Sequence, residues 1–231
     1  MLDKEKHKGI LVRILKDIYT DNTIGPVLGF KGGTAAFLFY ELPRFSVDLD
    51  FDLLDPKKED IVFEKVGKIV AKYGTMKGQR KKHFTLFYEL SYSDADRNIK
   101  VEINRRDFGS KYEVMNYFGI SMNVMIKEDM LANKLVALYE RVERANRDIF
   151  DVWFFLQNNW PINKTLVEKR TGLLFQEFVG KCIVRLEKAA ARSILSGMGE
   201  LLDEKQKSRA KAKLKTETLF LLKIMLDDKN N

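Results

Sequence analysis

The sequence predicts an α+β chain in two parts: a unit of mixed strands and helices over residues 1–125, and an all-helical unit over residues 126–231. Three observations lead there. Short runs up to Asn104 alternate apolar and polar residues, as half-buried strands do. Apolar residues at helical spacing open the chain and take over entirely after about residue 126. The 231 residues, 45% of them apolar, suffice for one large core or two small ones.

The elements follow in order. Ile10, Leu11, Ile14, Leu15 and Ile18 fall at helical spacing, so a first helix covers about residues 4–19. Asp21-Asn22-Thr23 and Gly25-Pro26 break it. Val27-Leu28-Gly29-Phe30 is a short buried strand, and residues 35–40 form a helix that Leu42-Pro43 ends. Val47, Leu49, Phe51 and Leu53 then share one strand face, with Ser46, Asp48, Asp50 and Asp52 on the other. Residues 61–73 read as a helix. Residues 84–90 and 99–104 read as two strands joined by a polar turn over 91–98, and Arg80-Lys81-Lys82-His83 is a basic loop entering the first of them. Glu128-Asp129 opens a helix whose apolar stripe is Leu131, Leu135, Leu138 and Val142. A second helix spans 147–158, before Pro161, and three more lie near 163–178, 179–197 and 205–226.

Composition narrows the function classes. Charged residues make up 32% of the chain and there is no run of about 18 apolar residues, so nothing is expected to span or bind a membrane. Met1-Leu2-Asp3-Lys4-Glu5-Lys6 lacks the apolar stretch of a signal peptide, and a cytoplasmic protein is expected. The single Cys182 excludes a disulfide framework and a cysteine-rich zinc site, and His7 and His83 leave little for a histidine-based one. The net charge of +8 suits a polyanionic partner. Most of the surplus lies in residues 161–231, densest over residues 205–215, where only Glu204 and Glu217 flank the run. That run is either a solvated helix face or a strip that follows a phosphate backbone.

Chemistry concentrates in Lys31-Gly32-Gly33-Thr34 and Arg44-Phe45-Ser46-Val47-Asp48-Leu49-Asp50-Phe51. Two glycines between a strand and a helix leave backbone N–H groups unobstructed at a helix N-terminus, which suits an anion. Asp48 and Asp50, two apart, project side by side from one strand face. Like charges so close stay ionised cheaply only with a cation between them, and hard oxygen ligands suit Mg²⁺ or Mn²⁺ shared with phosphates. Glu102 faces with Lys100 and Asn104, opposite to Val101 and Ile103. Lys134 flanks the buried stripe of its helix, where an unpaired ammonium would be costly. Asp148 and Asp151, three apart, share a helix face.

These motifs, taken together, resemble the nucleotidyltransferases of the DNA polymerase β superfamily, and more narrowly the AbiEii/AbiGii toxins of bacterial abortive-infection and toxin–antitoxin systems. Gly-Gly-Thr is followed by Arg-x-Ser-x-Asp-x-Asp-Phe. Lys134-Leu135-x-Ala137-Leu138-x-x-Arg141 and Arg147-Asp148-x-x-Asp151 are similar to that family's lysine helix and Arg-Asp-x-x-Asp helix. The matching motifs run from Lys31 to Asp151.

The resemblance implies a polymerase β-like α/β domain followed by a helical domain, and a metal-dependent transfer of a nucleotide from a nucleoside triphosphate with release of pyrophosphate. It makes Asp48 and Asp50 the metal ligands, with Glu102 as a third where the superfamily usually has Asp. Gly32, Gly33, Thr34 and Ser46 would bind the triphosphate. Lys134 would contact phosphate, and Asp148 and Asp151 would complete the catalytic set. An RNA acceptor, the 3′ end of tRNA, and a cognate antitoxin are the implied partners. A small-molecule nucleotidyltransferase and a non-catalytic nucleotide- or RNA-binding module are the competing expectations. The first would favour an acidic cleft for a polycationic substrate, and the intact Asp48–Asp50 pair speaks against the second.

Overall fold

A computed structural model of the protein describes residues 2–93, 97–142, 144, 146–190 and 194–227. The chain divides into two compact units, Met1–Ile126 and Lys127–Asn231. In the first, helices α1 (Lys4–Tyr19), α2 (Gly32–Phe39) and α3 (Glu59–Ala71) accompany strands β1 (Leu28–Lys31), β2 (Leu49–Leu53), β3 (Thr75–Lys81), β4 (Thr85–Ser91), β5 (Ile99–Asn104), β6 (Tyr112–Tyr117) and β7 (Ile120–Met125). Among the described residues these seven strands form one mixed sheet in the order β3-β4-β5-β2-β1-β7-β6. The pairs β1·β7 and β2·β5 are parallel and the others antiparallel.

Alternation decides what each face of the sheet does. Leu28, Phe30, Leu49, Phe51, Val101, Ile103, Leu86 and Tyr88 are buried on one face. Helices α1 and α3 cover it, with Tyr19 against Phe51 and Phe63 against Tyr88. Helix α1 forms where the apolar spacing predicts it. Asp3 caps it by accepting the Lys6 N–H at 3.0 Å, and Ile10, Leu11, Ile14, Leu15 and Ile18 are its buried stripe. The opposite face of the sheet carries the aspartates.

Three strands escape the sequence reading. Strand β3 is an edge strand of sequence Thr-Met-Lys-Gly-Gln-Arg-Lys, mostly exposed and rich in cations, so it has no apolar face to betray it. It takes up Arg80 and Lys81, which the sequence placed in a loop; Lys82 and His83 alone remain in the turn. Strands β6 and β7 form a hairpin closed by Phe118 and Gly119, both at positive φ (49° and 80°), the geometry of a tight two-residue hairpin turn.

The second unit holds α4 (Lys127–Arg141), α5 (Arg147–Gln157), α6 (Lys164–Thr171), α7 (Phe175–Lys188), α8 (Glu204–Arg209) and α9 (Lys215–Asp227). A π-helical turn over Ala210–Leu214 joins α8 to α9, so the helix expected near 205–226 forms with one wide turn in it. The two helices before it are divided differently from the expectation. Gly172, left-handed at φ 70°, ends α6, while Phe178 and Val179 lie side by side in the buried face of α7, so no break falls between them. The expected helix over 179–197 stops at Lys188; its residues 191–193 lie outside the described ones. Among the described residues no helix is long and apolar enough to cross a membrane.

Candidate functional site

The site is built on a row of residues directly opposed across five strands. Lys31 on β1 pairs with Asp50 on β2, Asp50 with Glu102 on β5, Glu102 with Phe87 on β4, and Phe87 with Arg80 on β3. Opposed residues project to the same face, so this row crosses the face left open by α1 and α3. The next row is Gly29, Asp52, Asn104 and Thr85.

The three alternating aspartates have different surroundings. Asp52 is fully engaged: Lys31 Nζ lies 2.6 Å from its Oδ1, Asn104 donates to the same oxygen at 2.6 Å, and the Tyr112 hydroxyl donates to Oδ2. Gly29 permits the last contact, because a Cβ there would clash with the Tyr112 ring, 2.3 Å from its Cε1. Asp48 lies just ahead of β2 and accepts the Lys100 N–H at 3.2 Å. Among the described residues, no hydrogen bond or ion pair reaches the Asp50 carboxylate. It rests against the first residue of α2 instead. A Cβ on Gly32, which sits at φ 80°, would come 2.5 Å from Asp50 Oδ2. Gly32 is thus required twice over, by its backbone conformation and by the carboxylate above it.

The rest of the glycine turn is packed from beneath. A Cβ on Gly33 would meet Arg44 Nη2 at 2.7 Å and Ser46 Oγ at 2.9 Å. Thr34 is fully buried; its hydroxyl donates to the Asp48 carbonyl and lies 2.9 Å from Ser46 Oγ. Thr34 and Ser46, expected on the phosphates, are turned toward each other and toward the backbone of Asp48. Nothing in the local pattern marks Arg44 as a core residue, yet it is 1% exposed. His7 is another such residue. A carbonyl only accepts, so the 2.9 Å contact from His7 Nε2 to the Val47 carbonyl puts the ring proton on Nε2. In the neutral ring Nδ1 accepts from the Tyr92 hydroxyl, 2.7 Å away. This fully buried histidine fixes the backbone immediately before Asp48. Cys182 has no chemistry to offer, since burial pushes its thiol up to about 12.

Burial, together with the neighbouring carboxylates of Asp50 and Asp48, raises Glu102 above the usual carboxylate range, against the opposing pull of Lys82 and Lys100. Lys82 Nζ is 3.7 Å from Glu102 Oε1. The folded chain therefore holds a proton on Glu102 more tightly than the unfolded chain does. The stability this group contributes is complete below the ordinary value of about 4.3 and is lost as pH rises through the raised one. Glu102→Gln is accordingly expected to raise the metal-free protein's melting temperature at neutral pH and to flatten its gain on acidification. Melts of both proteins between pH 4 and 8 check it; parallel curves would show that Glu102 feels no such repulsion.

The donor set fits a hard divalent cation: oxygens only, one carboxylate without a partner, and a second and third close enough to repel. Among the described residues no three His, Cys, Asp or Glu side chains close round one point as a complete metal site. Such an ion is commonly held by one or two carboxylates with the remaining positions left to water and phosphates.

In the helical unit, Lys134, Asp148 and Asp151 come together. Lys134 Nζ lies 3.0 Å from Asp148 Oδ1 and 2.7 Å from Asp151 Oδ2, and all three side chains are buried. Arg141 Nη2 approaches Asp148 Oδ2 to 2.8 Å as an ion pair without hydrogen-bond geometry. The basic run is partly occupied as well. Lys207 pairs with Glu204, Arg209 lies over the Trp153 ring and near Glu217, and Lys215 donates to the carbonyls of Glu187 and Ala189 near the end of α7. Among the described residues Lys205, Lys211 and Lys213 form no ion pair.

Two solved structures share this fold. The Helicobacter pylori protein JHP933 is similar at 18% identity, over 99% of this chain and 96% of that one, with a TM-score of 0.60. A candidate nucleotidyltransferase from H. pylori is similar at 22% identity, over 99% and 98% of the two chains, with a TM-score of 0.58. No curated protein matches the chain. The family model for the nucleotidyl transferase AbiEii toxin of type IV toxin–antitoxin systems matches residues 13–218. That span takes in the glycine turn, the aspartates of β2 and the lysine and Arg-Asp-x-x-Asp helices alike, and by it the chain belongs to the AbiEii family of nucleotidyltransferases.

Proposed function

We propose that this nucleotidyltransferase joins a nucleotide to an RNA acceptor, the 3′ end of tRNA, with Asp48, Asp50 and Glu102 as its carboxylate centre. Membership of the family implies a nucleoside triphosphate as substrate and an antitoxin as partner. The observation that carries the proposal is the Asp50 carboxylate, without a hydrogen bond or ion pair among the described residues, opposed to Glu102 and seated on the glycine turn.

Asp48 and Asp50 would hold Mg²⁺ or Mn²⁺, with Glu102 as a third ligand. When bound, the metal supplies charge neutralisation for the triphosphate. The open N–H groups of α2, which lacks a side-chain cap, would receive phosphate oxygens beside Gly32. Gly33, Thr34 and Ser46 support that turn from below, and Thr34 additionally fixes Asp48. The family resemblance assigns Lys134, held by Asp148 and Asp151, a phosphate contact. In the transfer, the acceptor hydroxyl oxygen bonds to the α-phosphorus, the bond to the bridging oxygen breaks, pyrophosphate leaves with that oxygen, and the hydroxyl proton passes to solvent.

The test uses nucleoside triphosphates labelled at the α-phosphate, the whole chain, and either intact or 3′-oxidised tRNA. Label on intact tRNA alone, dependent on Mg²⁺ or Mn²⁺, is the expected result. Pyrophosphate release with an aminoglycoside but not with tRNA would replace the acceptor by a small molecule. No release with either would leave a binding module.

A further inference from the structure

Lys82, beside Glu102, leads into a patch of different chemistry beyond the strand ends. The turn between β3 and β4 and the segment after β5 bring together Lys82, His83, Phe84, Arg106 and Phe108. Phe84 is 47% exposed. The His83 ring lies edge-on to it with centroids 4.1 Å apart, and the Arg106 guanidinium sits 4.7 Å from its centroid and 5.2 Å from that of Phe108. Arg80 and Lys82 lie over Phe87, at 4.9 and 3.6 Å. Among the described residues neither Arg80 nor Arg106 pairs with a carboxylate.

The patch is held rigidly. Arg105 donates to the carbonyls of Lys82 and His83 at 2.5 and 2.6 Å and reaches Glu59 on α3 through two contacts of 2.9 and 3.0 Å. What sets Phe84 apart from other exposed rings such as Phe118 and Phe220 is the fixed set of cations round it, and a fixed, cation-flanked ring is suited to unpaired bases. Every base has a π-face to stack, and the cations beside the ring meet the backbone phosphates. Duplex RNA, whose bases are already stacked, has no use for Phe84.

Position on the sheet says which substrate it serves. The carboxylates lie on β2 and β5, the glycine turn that suits the triphosphate is at the end of β1, and the aromatic patch is on the other flank, at β4 and β3. We infer that Phe84, with Arg106, His83, Lys82 and Arg80 round it, is a stacking platform for the unpaired 3′ end of the acceptor RNA. This rests on the RNA reading above and adds to it where the strand lies.

The experiment measures binding of a short fluorescent single-stranded oligoribonucleotide by the whole chain at several salt concentrations, with blunt duplex RNA and nucleoside triphosphate as controls. Phe84→Ala is expected to weaken single-strand binding roughly 10- to 100-fold. Its salt slope, duplex binding and triphosphate affinity should stay unchanged, and Phe84→Trp should bind like the parent. Arg80→Gln with Arg106→Gln should flatten the slope by roughly 0.7 per lost phosphate contact. If the parent chain binds neither form of RNA, the RNA reading falls and the platform with it. If the parent binds single strands and Phe84→Ala binds them equally well, the platform alone is wrong. If Phe84→Ala loses triphosphate affinity instead, the ring belongs to the donor's base and the proposal is overturned.

Discussion

Asp50→Asn is expected to lower nucleotide transfer by about 10³-fold or more, equivalent to about 4 kcal/mol of transition-state stabilisation, while the protein melts no lower than the parent. Both halves follow from the surroundings of this carboxylate. No hydrogen bond or ion pair among the described residues depends on it, so its neutral isostere removes no native contact. Its charge meanwhile raises the proton affinity of Glu102, so removing it relieves a repulsion. Gly32→Ala should imitate the loss by displacement, because the new methyl group would lie 2.5 Å from Asp50 Oδ2. Steady-state rates and thermal melts on the same preparations decide the matter. Near-normal transfer by Asp50→Asn would remove the residue from the reaction, and a lowered melting temperature would show that it is structural.

Lys134→Ala is expected to have the largest effect on stability. It strips the ammonium from two fully buried carboxylates, Asp148 and Asp151, and leaves Arg141 beside the first. Breaking a buried pair in this way costs about 3–5 kcal/mol, or roughly 6–20 °C in melting temperature for a chain of this size. Removing all three charges together, as Lys134→Met with Asp148→Asn and Asp151→Asn, should recover most of the loss, since no unpaired charge is left buried. That rescued protein also separates the roles of Lys134. A refolded variant with reduced kcat supports phosphate contact by the ammonium. Full activity in the rescued protein would mean that the cluster serves only to join α4 to α5.

Much of the chain was legible because its signals are local. A period of 3.6 marks α1, α4 and α5, and a period of two marks β2 and β5, since burial on one side is all that these patterns need. Strand β3 stayed hidden because an exposed edge strand buries little, and the β6–β7 hairpin because its turn is closed by Phe118, a residue seldom found at positive φ. The division between α6 and α7 was misplaced because apolar spacing runs on through 178 and 179, while the stop depends on the left-handed Gly172.

The sequence by itself determined that a glycine turn precedes a strand with Asp48, Asp50 and Asp52 on its polar face, and that a lysine helix and a paired-aspartate helix follow. Alternation assigned the three aspartates to one face and nothing more; only the resemblance of the motif set Asp48 and Asp50 apart from Asp52, without a physical reason. The tertiary structure supplied that reason through strand register. The parallel pairing of β2 with β5 sets Glu102 against Asp50 and Asn104 against Asp52, 52 residues away. Tyr112, crossing the space left by Gly29, and Lys31 then complete the neutralisation of Asp52. One carboxylate is thereby bound into the fold and its neighbour two residues earlier has no such contact among the described residues, a difference made wholly by partners distant in the chain.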